Sequence, residues 1–221
     1  VPGSAFASPV SELRHAITDE AARLLVDNSR HGSRFLPLAL QVDAKALVNG
    51  AVALLASGGS TNHSLHLPAI ARAAGYELLW EDLAGLSQVV PLLAHVYPNG
   101  VADVNQFHAA GGVAWLFKQL LDAGLMHKDV STVAGQGLHT YTREPYLHEQ
   151  QLRWRDVPSA TQNSSILREI SDPFATHSGL HVLAGNLGRA IVKTSAVHEA
   201  FWSIKAPARV FDTEAQVLAA Y

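Results

Sequence analysis

The chain has 221 residues, 48% hydrophobic and 16% charged, enough apolar material for one sizeable core or for one domain and part of a second. A formal net charge of −3 without any run of like charges excludes the basic field that nucleic-acid phosphates require. No apolar stretch approaches the ~20 residues that span a bilayer and no secretory leader pattern opens the chain, so neither membrane nor nucleic acid is expected as a partner and a cytoplasmic setting is expected.

In chain order, Ser8-Pro9 reads as an N-cap serine and an N1 proline before Val10, Leu13, Ala16, Ile17, Ala21, Leu24 and Leu25, which recur at helical spacing. Asn28 to Gly32 breaks that helix, Phe35-Leu36-Pro37-Leu38 forms a connector, and Asp43 caps a second helix carrying Leu47, Val48, Ala51, Val52, Leu54 and Leu55. Gly50 within it costs roughly 1 kcal/mol against alanine and predicts close packing. A third helix is predicted from Thr61 to Ala74, stopping at Gly75, with Leu65, Leu67, Ile70 and Ala71 buried. Pro68 lacks the N–H that bonds the Ser64 carbonyl, which predicts a kink or a shortened helix.

Tyr76 to Trp80 reads as a brief strand and Trp80-Glu81-Asp82-Leu83 as another helix start. Val89-Val90-Pro91-Leu92-Leu93 leads to the turn Tyr97-Pro98-Asn99-Gly100. After Asp103, which can cap a turn, the glycine pair Gly111-Gly112 opens a helix with Val113, Leu116, Phe117, Leu120 and Leu121 inward and Gly124 at its stop. Tyr141 to Ser165 is polar and aperiodic and predicts a long loop. Four β-prone stretches follow, at Ile166–Ile170, Leu180–Leu183, Ala190–Val197 and Ala208–Phe211, before Thr213 caps a last helix. They read as the opening strands of a β-rich part that continues beyond Tyr221, loosely held in the isolated chain. With Val1 first, Met126 the sole methionine and no cysteine, the chain is expected to be a piece of a larger protein.

The stretch richest in chemistry is Gly58-Gly59-Ser60-Thr61-Asn62-His63. A glycine turn feeding a helix N-terminus leaves backbone N–H groups unpaired at the positive end of the helix dipole, which favours an anion. The same residues also suit a plain N-cap. His63 and His66 share one helical face, but no carboxylate supports them as a metal pair, which leaves His63 as a cap or ligand contact and His66 as a packed side chain. His108, before the second glycine pair, is either a proton-transfer or ligand-bonding group or a buried imidazole bonded to backbone. Gly185-Asn186-Leu187-Gly188 suits a β-turn, and Lys118, Arg143, Arg153 and Arg168 suit solvated surface. The absence of cysteine excludes disulfides, thiolate metal sites and cysteine nucleophiles from these residues.

Gly58-Gly59-Ser60-Thr61-Asn62, Leu65-His66-Leu67 and Ala69-Ile70-Ala71-Arg72-Ala73-Ala74-Gly75 resemble the central signature of the dihydroxy-acid and phosphogluconate dehydratase family. Five further stretches are similar to its 6-phosphogluconate branch: Gln41–Asn49, Val90–Gly100, Ala102–Gly112, Thr132–Gly135 and Gly185–Ala190. His63 after Asn62 and the Tyr-Pro-Asn-Gly turn favour that branch; Pro68 and Ser178-Gly179 are local departures. The likeness runs along essentially the whole chain and corresponds to the middle third of such an enzyme.

The resemblance implies an α/β fold: residues 1–178 as the helix-rich C-terminal part of the family's N-terminal α/β domain plus linker, and 179–221 as the start of a truncated, barrel-like β-rich domain. It implies a hydro-lyase that converts 6-phospho-D-gluconate to 2-dehydro-3-deoxy-6-phosphogluconate in the Entner–Doudoroff pathway. The C3 hydroxyl is a poor leaving group and the C2 proton weakly acidic, so the reaction needs a Lewis acid and a base. In the family these are an iron–sulfur cluster, expected as 4Fe-4S, aided by Mg²⁺, and a serine. The cluster cysteines and magnesium ligands are implied upstream of Val1 and the serine downstream of Tyr221, so these residues alone are expected to bind neither cofactor and to be inactive. Ser60, Thr61, Asn62, His63 and His108 are implied as a wall of the active site, facing a small sugar-acid phosphate in a homodimeric parent. The alternatives are a dehydratase acting on another sugar acid or dihydroxy acid, or a cofactor-free binding or assembly module.

Overall fold

The computed structural model describes residues 1–221 as a mixed helix and sheet fold with eight α-helices and three separate two-stranded antiparallel sheets. The first helix, α1 (Glu12–Asn28), starts three residues later than Ser8-Pro9 suggested, because Ser11 is the true cap: its side chain accepts from the Arg14 N–H while its hydroxyl donates to the Ser8 carbonyl. Only Ile17 on α1 is buried; Val10, Leu25 and Val26 face outward. Leu38 belongs to a single turn, α2 (Leu38–Gln41), rather than to a connector.

The centre of the fold is α3 (Ala44–Ser57), capped as predicted by Asp43, whose carboxylate accepts from the Ala46 N–H at 2.8 Å. Seven of its residues are buried. A Cβ at Gly50 would stand 3.3 Å from Leu67, so the close packing inferred there is against α4 (His63–Ala73). This helix begins at His63 rather than Thr61 and runs unbroken through Pro68. The carbonyl of Ser64, which Pro68 cannot serve, accepts instead from the indole N–H of Trp80 at 3.0 Å. Its buried residues are Ser64 and Ala71, while Leu65, Ile70 and His66 are exposed, so the predicted face is only partly covered.

No strand forms at Tyr76–Trp80; the chain passes directly into α5 (Trp80–Val89), where the Leu79 N–H donates to Asp82. The polar Tyr76-Glu77 start offers a sheet nothing to bury, and no partner strand lies beside it. Residues 90–96 run extended through the core, with Leu93 donating to the Ala56 carbonyl and bridges joining Leu92 to Ala175 and Ala94 to Leu167. Two short helices follow, α6 (Val104–Ala109) and α7 (Gly112–Asp122). Asp103 does cap, in a full box: its carboxylate accepts from the Asn105 and Gln106 N–H groups, and the Gln106 side chain accepts from the Asp103 N–H. Val52, Leu55, Leu93, Trp115, Leu116, Leu120 and Leu167 form the innermost core.

After a two-residue ribbon, β1 (Ser131–Thr132) with β2 (Gly135–Gln136), the predicted long loop proves to be a hairpin, β3 (Arg143–His148) with β4 (Gln151–Asp156). Its turn residues Glu149 and Gln150 have φ of 48° and 63°, the mirror-image turn that matches strand twist. Its strands are held by charge across the ladder, Arg143 to Asp156 and Arg155 to Glu144, which is why hydrophobic alternation did not reveal them. The second hairpin, β5 (Leu180–Gly185) with β6 (Gly188–Lys193), closes at the predicted Gly185–Gly188 turn and pairs with nothing else, so no closed barrel is present. Ile166–Ile170 contributes only a bridge and Ala208–Phe211 no strand; Thr213 caps α8 (Glu214–Ala220) as predicted.

Candidate functional site

Helix α3 ends in a motif that only glycine satisfies. Gly58 has φ of 59°, its N–H donates to the Leu55 carbonyl and the Gly59 N–H to the Leu54 carbonyl, the reciprocal closure of a Schellman turn. A Cβ at Gly58 would lie 2.1 Å from the Asn99 side-chain nitrogen. The chain then tightens through Ser60, Thr61 and Asn62: the N–H groups of His63, Ser64 and Leu65 donate to the carbonyls three residues back, and the Asn62 N–H donates to the Ser60 hydroxyl oxygen. The N–H groups of Ser60 and Thr61 have no acceptor in the protein. Asn62, the residue before α4, makes no side-chain cap.

This turn opens onto a cleft of about 820 Å³, within the range typical of small-molecule sites. Its lining brings together Ser60, Thr61 and His63, the stretch Tyr97-Pro98 with Val104 and Phe107, and the apolar Leu54, Leu67, Leu116 and Phe117. Lys193 completes the wall from the end of β6.

Of the five residues singled out from the sequence, the structure therefore brings three, Ser60, Thr61 and His63, to one cleft. Asn62 is exposed beside it and is not among its lining residues. His108 lies on the exposed side of α6, near Gly112, whereas its neighbours Val104 and Phe107 face the cleft. The buried, backbone-bonded alternative for His108 does not hold either, because the side chain is exposed and makes no hydrogen bond to a carbonyl.

A polar cluster that reaches the cleft at Gly58 and Lys193 escaped sequence reasoning. The carbonyl of Gly58 accepts from the Asn99 side-chain amide at 2.7 Å and from the Lys193 ammonium at 2.9 Å, and the Ser195 hydroxyl donates to the other end of the Asn99 amide at 2.7 Å. Asn99 read as a turn residue, and Lys193 and Ser195 as part of a β-prone run. The available signal was a lone lysine and a serine ending an otherwise apolar strand, Ala190-Ile191-Val192. Burial lowers the pKa of Lys193 from that of a free lysine.

Two family models match the chain in succession: "Dihydroxy-acid/6-phosphogluconate dehydratase N-terminal" over residues 1–141 and the corresponding "C-terminal" model over residues 165–221. The chain belongs to the dihydroxy-acid/6-phosphogluconate dehydratase family. It is 50% identical to the phosphogluconate dehydratase of Pseudomonas aeruginosa over all 221 residues, which cover 36% of that relative. The figures for the phosphogluconate dehydratase of Escherichia coli strain K12 are 50% and 37%. A dihydroxy-acid dehydratase of Prochlorococcus marinus is 33% identical over 97% of the chain. The chain thus spans little more than a third of the length of the curated relatives it matches. In this chain the cleft unites both matched segments, since Gly58 comes from the first and Lys193 and Ala196 from the second.

Proposed function

We propose that these residues form a wall of the substrate site in a hydro-lyase that removes water from 6-phospho-D-gluconate, giving 2-dehydro-3-deoxy-6-phosphogluconate in the Entner–Doudoroff pathway. The carrying observation is the cleft at Ser60, Thr61 and His63, where hydrogen-bonding side chains join a mostly apolar lining in a chain half identical to phosphogluconate dehydratases. In the reaction the C2–H and C3–O bonds break, water departs, and the resulting enol tautomerises to the 2-oxo acid. Ser60 and Thr61 offer hydroxyls and unpaired N–H groups to the polyol and its anionic ends, and His63 adds an imidazole at the rim. Asn62 and His108, outside the cleft lining, are assigned to the outer part of the same wall.

The family resemblance implies an iron–sulfur cluster, of the 4Fe-4S type, and Mg²⁺ in the parent. The donor set for either is not among these residues: cysteine is absent and no three His, Asp or Glu side chains converge. We place the parent in the cytoplasm as a homodimer and the boundary between its two parts at 178/179. In support of that boundary, β5 begins at Leu180. No helix is long and apolar enough to cross a membrane.

The test is a dehydration assay on the full-length protein carrying this segment, supplied with 6-phosphogluconate or with a branched dihydroxy acid, following 2-oxo acid formation. Turnover of 6-phosphogluconate, impaired by Ser60→Ala and Thr61→Ala, is expected. Turnover of the dihydroxy acid alone would overturn the substrate assignment.

A further inference from the structure

Lys193 is the single lysine or arginine lining the cleft, and no aspartate or glutamate lines it. None of the ion pairs in the chain includes this ammonium. Its hydrogen bond goes to a neutral acceptor, the Gly58 carbonyl. An ammonium carries three donors, so two remain for whatever occupies the cleft.

The position of that charge is fixed rather than adaptable. Lys193 pairs with Leu180 at the buried end of the β5–β6 hairpin, away from its exposed tip. The carbonyl it touches is held from the other side by Asn99, itself held by Ser195. The ammonium is therefore pinned to the same backbone that two residues later presents Ser60 and its unpaired N–H. Half-burial disfavours the charged form, and an anion arriving in the cleft relieves that cost.

We propose that Lys193 is the anion-recognising residue of this cleft, gripping an oxyanion terminus of the sugar-acid substrate with the ammonium hydrogens that Gly58 leaves free. The proposal rests on the substrate reading given above. The oxyanion is either the phosphoryl group or the carboxylate; both offer the same acceptors to an ammonium. A lysine serving only as a clip for Gly58 needs a donor and no charge, which separates the two roles experimentally.

The experiment uses the full-length holoenzyme with Lys193→Gln, which keeps a donor and removes the charge, and Lys193→Arg, which keeps the charge. Steady-state kinetics are measured with 6-phosphogluconate and with unphosphorylated gluconate. Loss of a charge-assisted bond predicts a KM for 6-phosphogluconate raised about tenfold or more in Lys193→Gln, largely restored in Lys193→Arg. Collapse of the preference for the phosphorylated substrate places Lys193 on the phosphoryl group, and an equal loss on both substrates places it on the carboxylate. A Lys193→Gln enzyme whose KM stays within about twofold of wild type on both substrates overturns the proposal. Because the variants can fail to fold, lysine acetylation of the wild-type holoenzyme is mapped by mass spectrometry with and without 6-phosphogluconate. Slower labelling of Lys193 with substrate is expected, and unchanged labelling in an enzyme that turns the substrate over also refutes the role. An inactive wild-type enzyme would instead refute the substrate reading itself.

Discussion

The indole N–H of Trp80 donates to the carbonyl of Ser64, the one acceptor that Pro68 leaves without its helical partner. A proline inside a helix costs about 3 kcal/mol, partly through that lost bond, and here a side chain from the next helix replaces the missing donor. Trp80→Phe keeps the ring and removes the donor, so it should destabilise the chain by about 1–3 kcal/mol. In a Pro68→Ala background the residue-68 N–H serves Ser64, and the Trp80→Phe cost should shrink towards zero. A double-mutant cycle by urea unfolding measures the coupling; equal costs in both backgrounds would refute the compensation.

Gly58→Ala places a Cβ on the Asn99 amide at a positive φ. The strained backbone alone costs of order 1–3 kcal/mol, and Asn99 must also leave the Gly58 carbonyl. A lowered unfolding midpoint is expected, with weaker substrate binding because Ser60 and Thr61 shift with the turn. Adding Asn99→Ala should recover part of the stability and none of the binding.

Asn49, buried on α3, exchanges two hydrogen bonds of 2.8 Å with the backbone N–H and carbonyl of His127. Asn49→Leu leaves both backbone groups unpaired, and a loss of about 2–4 kcal/mol should appear in the unfolding midpoint. The effect belongs to folding: Ser60 and Thr61 do not touch this pair.

Stability should fall on acidification below neutrality. His95 is stacked on Phe174 at 3.7 Å, and burial, with the nearby Arg168 charge, lowers its pKa below the ordinary histidine value of 6.5. His181 is lowered likewise by burial and by His177. The unfolded chain therefore takes up protons at these positions before the folded one does. The stabilisation is complete above pH 6.5 and is lost as pH falls from there through the lowered folded values. Urea midpoints between pH 8 and 5 (~3 units spanning the histidine range) check this; His95→Gln should flatten the slope, and an unchanged slope would assign it to other groups.

Amide exchange should separate the C-terminal residues from the core. Among residues 203–211 no backbone N–H has an acceptor in the protein, so these amides should exchange almost freely. Leu93, bonded to Ala56 in the core, should be among the slowest.

Where side chains follow one face of a helix the sequence was readable: Asp43, Asp103 and Thr213 cap where expected, and the glycine turn at Gly58 does open a cleft. The β3–β4 hairpin was not readable, because Arg143, Glu144, Arg155 and Asp156 bind one another through charge instead of alternating with apolar residues. The outward Leu65 and Ile70 show the same limit from the other side, since periodicity marks an apolar face without naming what covers it. Asn99 and Lys193 stayed hidden because they act on a backbone carbonyl up to 135 residues away, and Ser195 because it acts on Asn99; no local pattern encodes such contacts.

The meeting of Asn99 and Lys193 on the Gly58 carbonyl bears on how the two matched segments of this chain can be exchanged. One matched segment supplies the acceptor and the other the cation, and the acceptor is backbone, blind to the side chains around it. A chimaera that crosses over between residues 141 and 165 rejoins at this carbonyl, where the lysine meets backbone and the one side-chain pair to be matched is Ser195 with Asn99. Glycine at 58, asparagine at 99, lysine at 193 and serine at 195 are the identities such an exchange must carry across.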